Sequence, residues 1–165
     1  MPRSTRMLGT IAAVAGIAAL SLLTPVATAD EPSAVQTYNE IQQTFGAVPS
    51  LFKVFPEAGV AGAWTEFKSV QLNPNTKLDG KTKELLGLAV ASQIPCQYCV
   101  YFHTAAAKSN GATDEEIREA VAMAAIVRHW STVLNGMQVD LATFKQETDA
   151  ALKYAAEMAK KSASK

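Results

Sequence analysis

The amino-acid sequence predicts an all-α protein. No run of alternating apolar and polar residues supports a strand. Each well-defined segment instead repeats its apolar residues near a 3.6-residue period, and each connection is short. Capping and stopping residues stand where the segments begin and end. Together these give one domain of about six helices with no internal repeat.

The first residues are expected to lie outside that domain. Arg3 and Arg6 form a basic start, Met7 to Leu23 is apolar without a charge, and Ala27-Thr28-Ala29 is a small-x-small cleavage site. This predicts a signal peptide over 1–29, a mature chain beginning at Asp30, and a helical domain over 30–165. The chain is then exported, to a periplasmic, oxidising setting. An uncleaved N-terminal anchor is the alternative, and Gly9 and Gly16 weigh against it. Removing the segment takes two of the 15 basic residues and none of the 15 acidic ones, leaving a mildly acidic chain. With no basic run interleaved with aromatics, nucleic acid is not an expected partner. Hydrophobic and charged fractions of 48% and 18% belong to a folded rather than a disordered chain.

Ser33 is the expected N-cap of a first helix reaching about Phe45. Val35, Tyr38, Ile41, Gln42 and Phe45 stand near helical spacing, and Gly46 stops it. Val48 to Phe52 starts a short second piece, ended before Pro56. Leu51, Phe52, Val54 and Phe55 read as core, with the wall of an apolar substrate pocket as the open alternative. A third helix is expected from Glu57 to Leu72, with Val60, Trp64, Phe67 and Gln71 or Leu72 on one face. Asn73-Pro74-Asn75 stops it.

Asp79 caps the next helix, which runs to about Ser92. From Leu85 to Ala91 it is apolar nearly all round and is expected to be buried. Glu84 is its last carboxylate before that stretch; an exposed Glu84 on the first turns is the other reading. The helix bearing the cysteines ends at Lys108 and Asn110-Gly111. Thr113 and Glu116 form a capping box for a helix carrying Ile117, Ala120, Val121, Ala124 and Val127, which passes Trp130 and ends at Asn135-Gly136. A last helix spans about Val139 to Lys160, with Leu141, Phe144, Thr148, Leu152, Ala155 and Met158 in a stripe. Trp64 and Trp130 read as core and His129 as a structural residue.

The chemistry is concentrated in Ile94 to His103, I-P-C-Q-Y-C-V-Y-F-H, which holds both cysteines and one of the two histidines. Pro95 suits the first turn of a helix. From such a start Cys96, Cys99 and His103 share one face, with Cys99 and His103 one turn apart. A thiol near a helix N-terminus is acidified by the dipole, and an imidazole one turn on can take its proton. That is the pattern of a reactive dithiol. A bridge over two intervening residues constrains the unfolded chain little, so redox chemistry explains the spacing better than stability does.

Other uses of the motif fit less well. A thioredoxin-type site lacks its preceding strand. A c-type haem site lacks a histidine after the second cysteine, where Val100 stands. Zinc on Cys96, Cys99, His103 and His129 matches no common structural spacing.

Glu84 stands twelve residues before Cys96, so the constellation reads E-x11-C-x2-C-x3-H. Its flanks are L-D-G-K-T-K-E-L-L-G-L-A-V-A and F-H-T-A-A-A-K-S-N-G-A-T-D-E-E-I. This resembles the AhpD-like alkyl hydroperoxidase branch of the carboxymuconolactone decarboxylase superfamily, well over about Thr76 to Leu134 and loosely in the flanks. The resemblance implies an AhpD-like helical bundle with the CxxC at the N-terminus of a central helix. It also implies a homo-oligomer, trimer or hexamer, that reduces hydroperoxides. Cys99 would be the attacking thiolate and Cys96 the resolving thiol that closes a disulfide. His103 would relay the proton and Glu84 would orient His103. The expected partners are a hydroperoxide and a dithiol reductant, and no cofactor or metal is expected.

Tyr98 departs from the best-known peroxidase members, which carry a histidine there. With a pKa of about 10, a phenol donates a hydrogen bond at neutral pH rather than acting as a base. Export also separates the chain from the cytoplasmic dihydrolipoyl-type reductant familiar in the branch. Either another reductant serves, or the domain performs thiol–disulfide exchange. A non-enzymatic assembly module with a structural Cys96–Cys99 bridge is a third class. Lactone decarboxylation, the superfamily's other activity, does not need the dithiol.

Overall fold

The computed structural model describes residues 31–163, so the expected signal peptide at 1–29 lies outside the described residues. Among the described residues there is no strand. The helices are α1 (Ala34–Phe45), α2 (Ser50–Lys53), α3 (Glu57–Glu66), α4 (Gly80–Gln93), α5 (Gln97–Ser109), α6 (Asp114–Gly136) and α7 (Leu141–Ala163). α3 runs on into a π-helical turn, Phe67–Gln71. No helix among the described residues is long and apolar enough to cross a membrane.

The caps explain most of these boundaries. Ser33 and Gln36 close a reciprocal capping box on α1, and Gly46 takes the left-handed conformation (φ 78°) that ends it. Asp79 Oδ1 accepts the Thr82 N–H at 2.7 Å and starts α4. Thr113 and Glu116 do the same for α6. The Lys81 ammonium lies 2.6 Å from Glu116, tying the start of α4 to the start of α6 and holding the Glu116 carboxyl below its ordinary range.

Several boundaries differ from the sequence-based expectation: α3 gives way to the π turn after Glu66, α7 spans Leu141–Ala163 rather than Val139 to Lys160, and two more differ at their caps. Pro95 lies outside α5, because Cys96 takes the N-cap position and the helix begins at Gln97. α6 keeps Asn135 and Gly136 as its last helical residues, where the sequence reading makes them the stop that follows Leu134. The left-handed residue is Gln138 (φ 52°), because the closing bonds from Gln138 N–H to the Asn135 carbonyl and from Val139 N–H to the Leu134 carbonyl form around it.

Packing falls into two parts. α1, α2 and α3 enclose Ile41, Phe52, Val60 and Trp64, with Ala34, Tyr38, Val48 and Phe67 at the margin. Each such buried side chain contributes about 1.5–3 kcal/mol. α4 packs on α5 and α6 through Glu84, Leu88 and Ala91, an i, i+4, i+7 stripe, met by Ala107 and Ala124. The alanines let the helix axes approach closely.

Other apolar residues are not core. α4 is not buried all round: Leu86 and Val90 are 52% and 59% exposed. Trp130 is 55% exposed, and Val54 and Phe55 also face outward. The α7 stripe is patterned as expected, yet α7 has no buried residue. The physical reason is common to all of these. Among the described residues the main packing is of α1 on α3 and of α4 on α5 and α6, and these faces lie outside it.

Candidate active site

α4 and α5 build the site between them. Glu84 lies on the buried stripe of α4 and is 4% exposed, which settles its side of the helix. Across from it, on α5, the His103 Nδ1 approaches Glu84 Oε2 to 2.7 Å. An ionised carboxylate only accepts hydrogen bonds, so this contact puts an imidazole hydrogen on Nδ1; in the neutral ring the Nε2 lone pair is then free.

Cys96 and Cys99 form a disulfide with their Cα atoms 5.3 Å apart. The Cys96 sulfur also accepts the Cys99 N–H at 3.2 Å and so serves as the N-cap of α5. Both sulfurs therefore sit at the positive end of a 13-residue helix, which favours thiolate once the bridge is reduced. His103 is one turn further along the same face, and its side chain is 20% exposed.

Two clefts open on this group. One, of about 250 Å³, is walled by Leu51, Phe67, Gln71, Tyr98 and Phe102 and reaches Cys99 and His103. Phe102 meets Phe67 edge-on at 6.2 Å and the His103 ring edge-on at 5.2 Å, so the aromatic wall also steadies the imidazole. The other, of about 310 Å³, runs along Leu86, Gly87, Val90 and Ile94 and reaches the same Cys99 and His103. A further groove, about 720 Å³, follows the opposite face of α5 past Pro95, Tyr101 and Lys108 and is lined by none of Glu84, Cys96, Cys99 and His103.

The structure thus brings together the four residues singled out in the sequence: Glu84, Cys96, Cys99 and His103. His129 is elsewhere, exposed on α6 with its ring edge-on to Trp130. Among the described residues no group of three or more His, Cys, Asp or Glu is placed to hold a metal ion.

Two further residues are part of the site and were not anticipated. Gln71 Nε2 donates to both Glu84 oxygens, at 3.2 and 3.4 Å. Gly87 gives the imidazole its room: a Cβ there would lie 2.8 Å from His103 Nε2 and closer still to Nδ1 and Cε1. A glycine inside an apolar helical run is the sequence signal for such a close approach. Gln71 offers no comparable signal.

The family model of the carboxymuconolactone decarboxylase family matches residues 58–141, just over half of the chain. The chain belongs to the carboxymuconolactone decarboxylase family. The match runs from α3 into the start of α7 and takes in all four site residues.

The family fold agrees with that of a solved relative. The crystal structure of the alkylhydroperoxidase AhpD core from Rhodospirillum rubrum superposes with a TM-score of 0.58 at 25% identity, covering 66% of this chain and 82% of that one. This family member therefore has the AhpD-like helical fold. An uncharacterized protein from the cox locus of Paracoccus denitrificans is 43% identical over 51 residues. That stretch is 31% of this chain and 46% of the relative, so the chain spans about half the length of that protein. Members of the family include enzymes, alkyl hydroperoxidases and decarboxylases among them.

Proposed function

We propose that this chain is an exported, thiol peroxidase-like oxidoreductase that reduces hydroperoxides through a Cys96/Cys99 dithiol–disulfide cycle. The observation that carries the reading is the 2.7 Å contact between Glu84 and His103, one helical turn from Cys99. An orienting carboxylate, a base and a sulfur in series are what an activated thiol requires. The name of the Rhodospirillum rubrum relative supports the peroxide substrate.

The cycle starts with both sulfurs reduced. His103 Nε2 takes the Cys99 proton, and the thiolate attacks one oxygen of ROOH. The O–O bond breaks, the alkoxide takes the proton back from His103 and leaves as ROH, and Cys99 becomes a sulfenic acid. The Cys96 thiol then attacks the Cys99 sulfur. Water leaves, and the Cys96–Cys99 disulfide forms. The sum is ROOH plus two thiols to ROH, water and one disulfide, and an external dithiol restores the thiols. The aromatic cleft of about 250 Å³ offers the R group an apolar seat, which favours organic hydroperoxides over hydrogen peroxide.

Assembly into a homo-oligomer, trimer or hexamer, belongs to the same proposal. It is supported by the uncovered apolar faces of α4, α6 and α7, which a second copy of the chain would bury.

One preparation tests the reading. The exported protein should begin at Asp30 by intact mass and scatter light as an oligomer. With a dithiol it should consume an organic hydroperoxide faster than hydrogen peroxide. Cys99→Ser should abolish turnover, and Cys96→Ser should leave a trappable sulfenic acid. Wild-type turnover by Cys99→Ser means the nucleophile is misassigned.

A second reading has its own observation. Cys96 sits at the N-cap and its sulfur accepts a backbone N–H, which favours a thiolate at Cys96 rather than at Cys99. That geometry suits thiol–disulfide exchange with another protein. Rapid exchange with a dithiol substrate, alongside negligible peroxide turnover, distinguishes it.

A further inference from the structure

The π turn at the end of α3 lies in neither of the roles above. In an unbroken α-helix Gln71 falls seven residues after Trp64 and so points the same way, into the α1–α2 core. It does not. The Leu72 N–H reaches back five residues to the Phe67 carbonyl, at 3.2 Å, which inserts one residue into the ladder. One inserted residue rotates the rest of the helix by about 100°. Trp64 stays in the core at 2% exposure, while Gln71 swings to α4 and meets both oxygens of Glu84. Helical insertions of this kind concentrate at functional sites.

We propose that Gln71 is a positioning residue for the Glu84–His103 pair, and that the π turn serves to aim it. Glu84 is almost wholly buried, so each carboxylate oxygen needs a donor. His103 supplies one to Oε2. Gln71 is the side-chain donor to Oε1, and its second contact, to Oε2, fixes the plane of the carboxylate. Because an amide is neutral, it holds Glu84 without competing for its charge, which stays directed at the imidazole. The titratable groups facing His103 are Glu84 from α4 and Cys99 and Tyr98 from α5; from the π turn after α3 the group is this uncharged amide.

This inference rests on the Glu84–His103–Cys99 relay but not on peroxide being the substrate, so its test leaves peroxide out. Full-length mature protein carrying Cys96→Ser presents Cys99 as the one thiol. Gln71→Met keeps the volume and removes the donor; Gln71→Leu removes the donor with a second apolar side chain. Iodoacetamide alkylation of Cys99 at neutral pH should slow about tenfold in both. Nitrogen NMR of His103 should change from a single Nδ1–H tautomer to a mixture in Gln71→Met, a change that altered packing alone does not produce. Thermal melting identifies any variant that fails to fold, in which case the other decides. Alkylation within twofold of the parent in a folded variant, or an unchanged tautomer in Gln71→Met, overturns the proposal. If the variants behave as expected while the parent protein with both cysteines consumes no peroxide, the positioning role stands and the peroxidase reading falls.

Discussion

Glu84→Gln is expected to slow the reaction of Cys99 with hydroperoxide by about 10²–10⁴-fold, the range for losing a positioned acid–base group, while leaving the protein folded. The substitution is isosteric, so the buried stripe Glu84, Leu88, Ala91 still packs on α5 and α6. What changes is the chemistry facing His103 Nδ1, 2.7 Å away. A carboxylate can only accept there, and it holds the hydrogen on Nδ1. An amide can donate, which turns Nδ1 into an acceptor and moves the hydrogen to Nε2, the nitrogen that takes the Cys99 proton in the proposed cycle. Stability should move the other way or not at all, because an ionised group that is 4% exposed is costly to bury. Stopped-flow oxidation of the reduced protein, paired with a thermal melt, reads both quantities. A large loss of stability with unchanged oxidation would show that Glu84 is a structural residue and would remove the relay.

Much of this site was legible in the sequence, and for identifiable reasons. Cys96, Cys99 and His103 lie on one short segment, where helical spacing alone fixes their relative placement. Glu84 is on another helix, and only its spacing from the cysteines within the family pattern singled it out. Its buried side could have been read from Leu88 and Ala91, four and seven residues on, since these complete the single buried stripe. The apolar run from Leu85 to Ala91 hid that stripe and suggested burial all round.

Other features could not be read in this way. Cys96 as a helix cap displaced Pro95, because a thiol is not among the usual capping residues. Gln71 was out of reach, since a π insertion leaves no mark in the period of so short a segment and shifts every later residue by one position. The stripe of α7 and the place of Trp130 show a different limit. Amphipathic patterning says that a face wants cover, and not whether the cover comes from the same chain.

Gly87→Ala is expected to destabilise the protein by about 1–3 kcal/mol, the usual effect of overpacking, and to lower Cys99 reactivity by about 10²-fold, the effect of a small misplacement of a catalytic group. The sign is not obvious, because glycine in a helix interior ordinarily costs about 1 kcal/mol relative to alanine. Gly62, in α3, is the internal control. A Cβ there meets nothing within 4 Å, so Gly62→Ala should stabilise by about 0.5–1 kcal/mol. At Gly87 the new methyl lands on the His103 ring itself, 2.8 Å from Nε2 and nearer to two other ring atoms. The ring is placed by its edge-on contact with Phe102 and its bond to Glu84, and the methyl occupies that position. The imidazole must turn away, and Glu84 then keeps only Gln71 as a side-chain partner. The loss of reactivity should therefore not add to that of Glu84→Gln. Once the hydrogen has moved off Nδ1, displacing the ring removes little more, and the double variant should react about as slowly as Glu84→Gln alone. Full additivity of the two effects would mean that Gly87 and Glu84 act on Cys99 by separate routes, and that the imidazole is not the link between them.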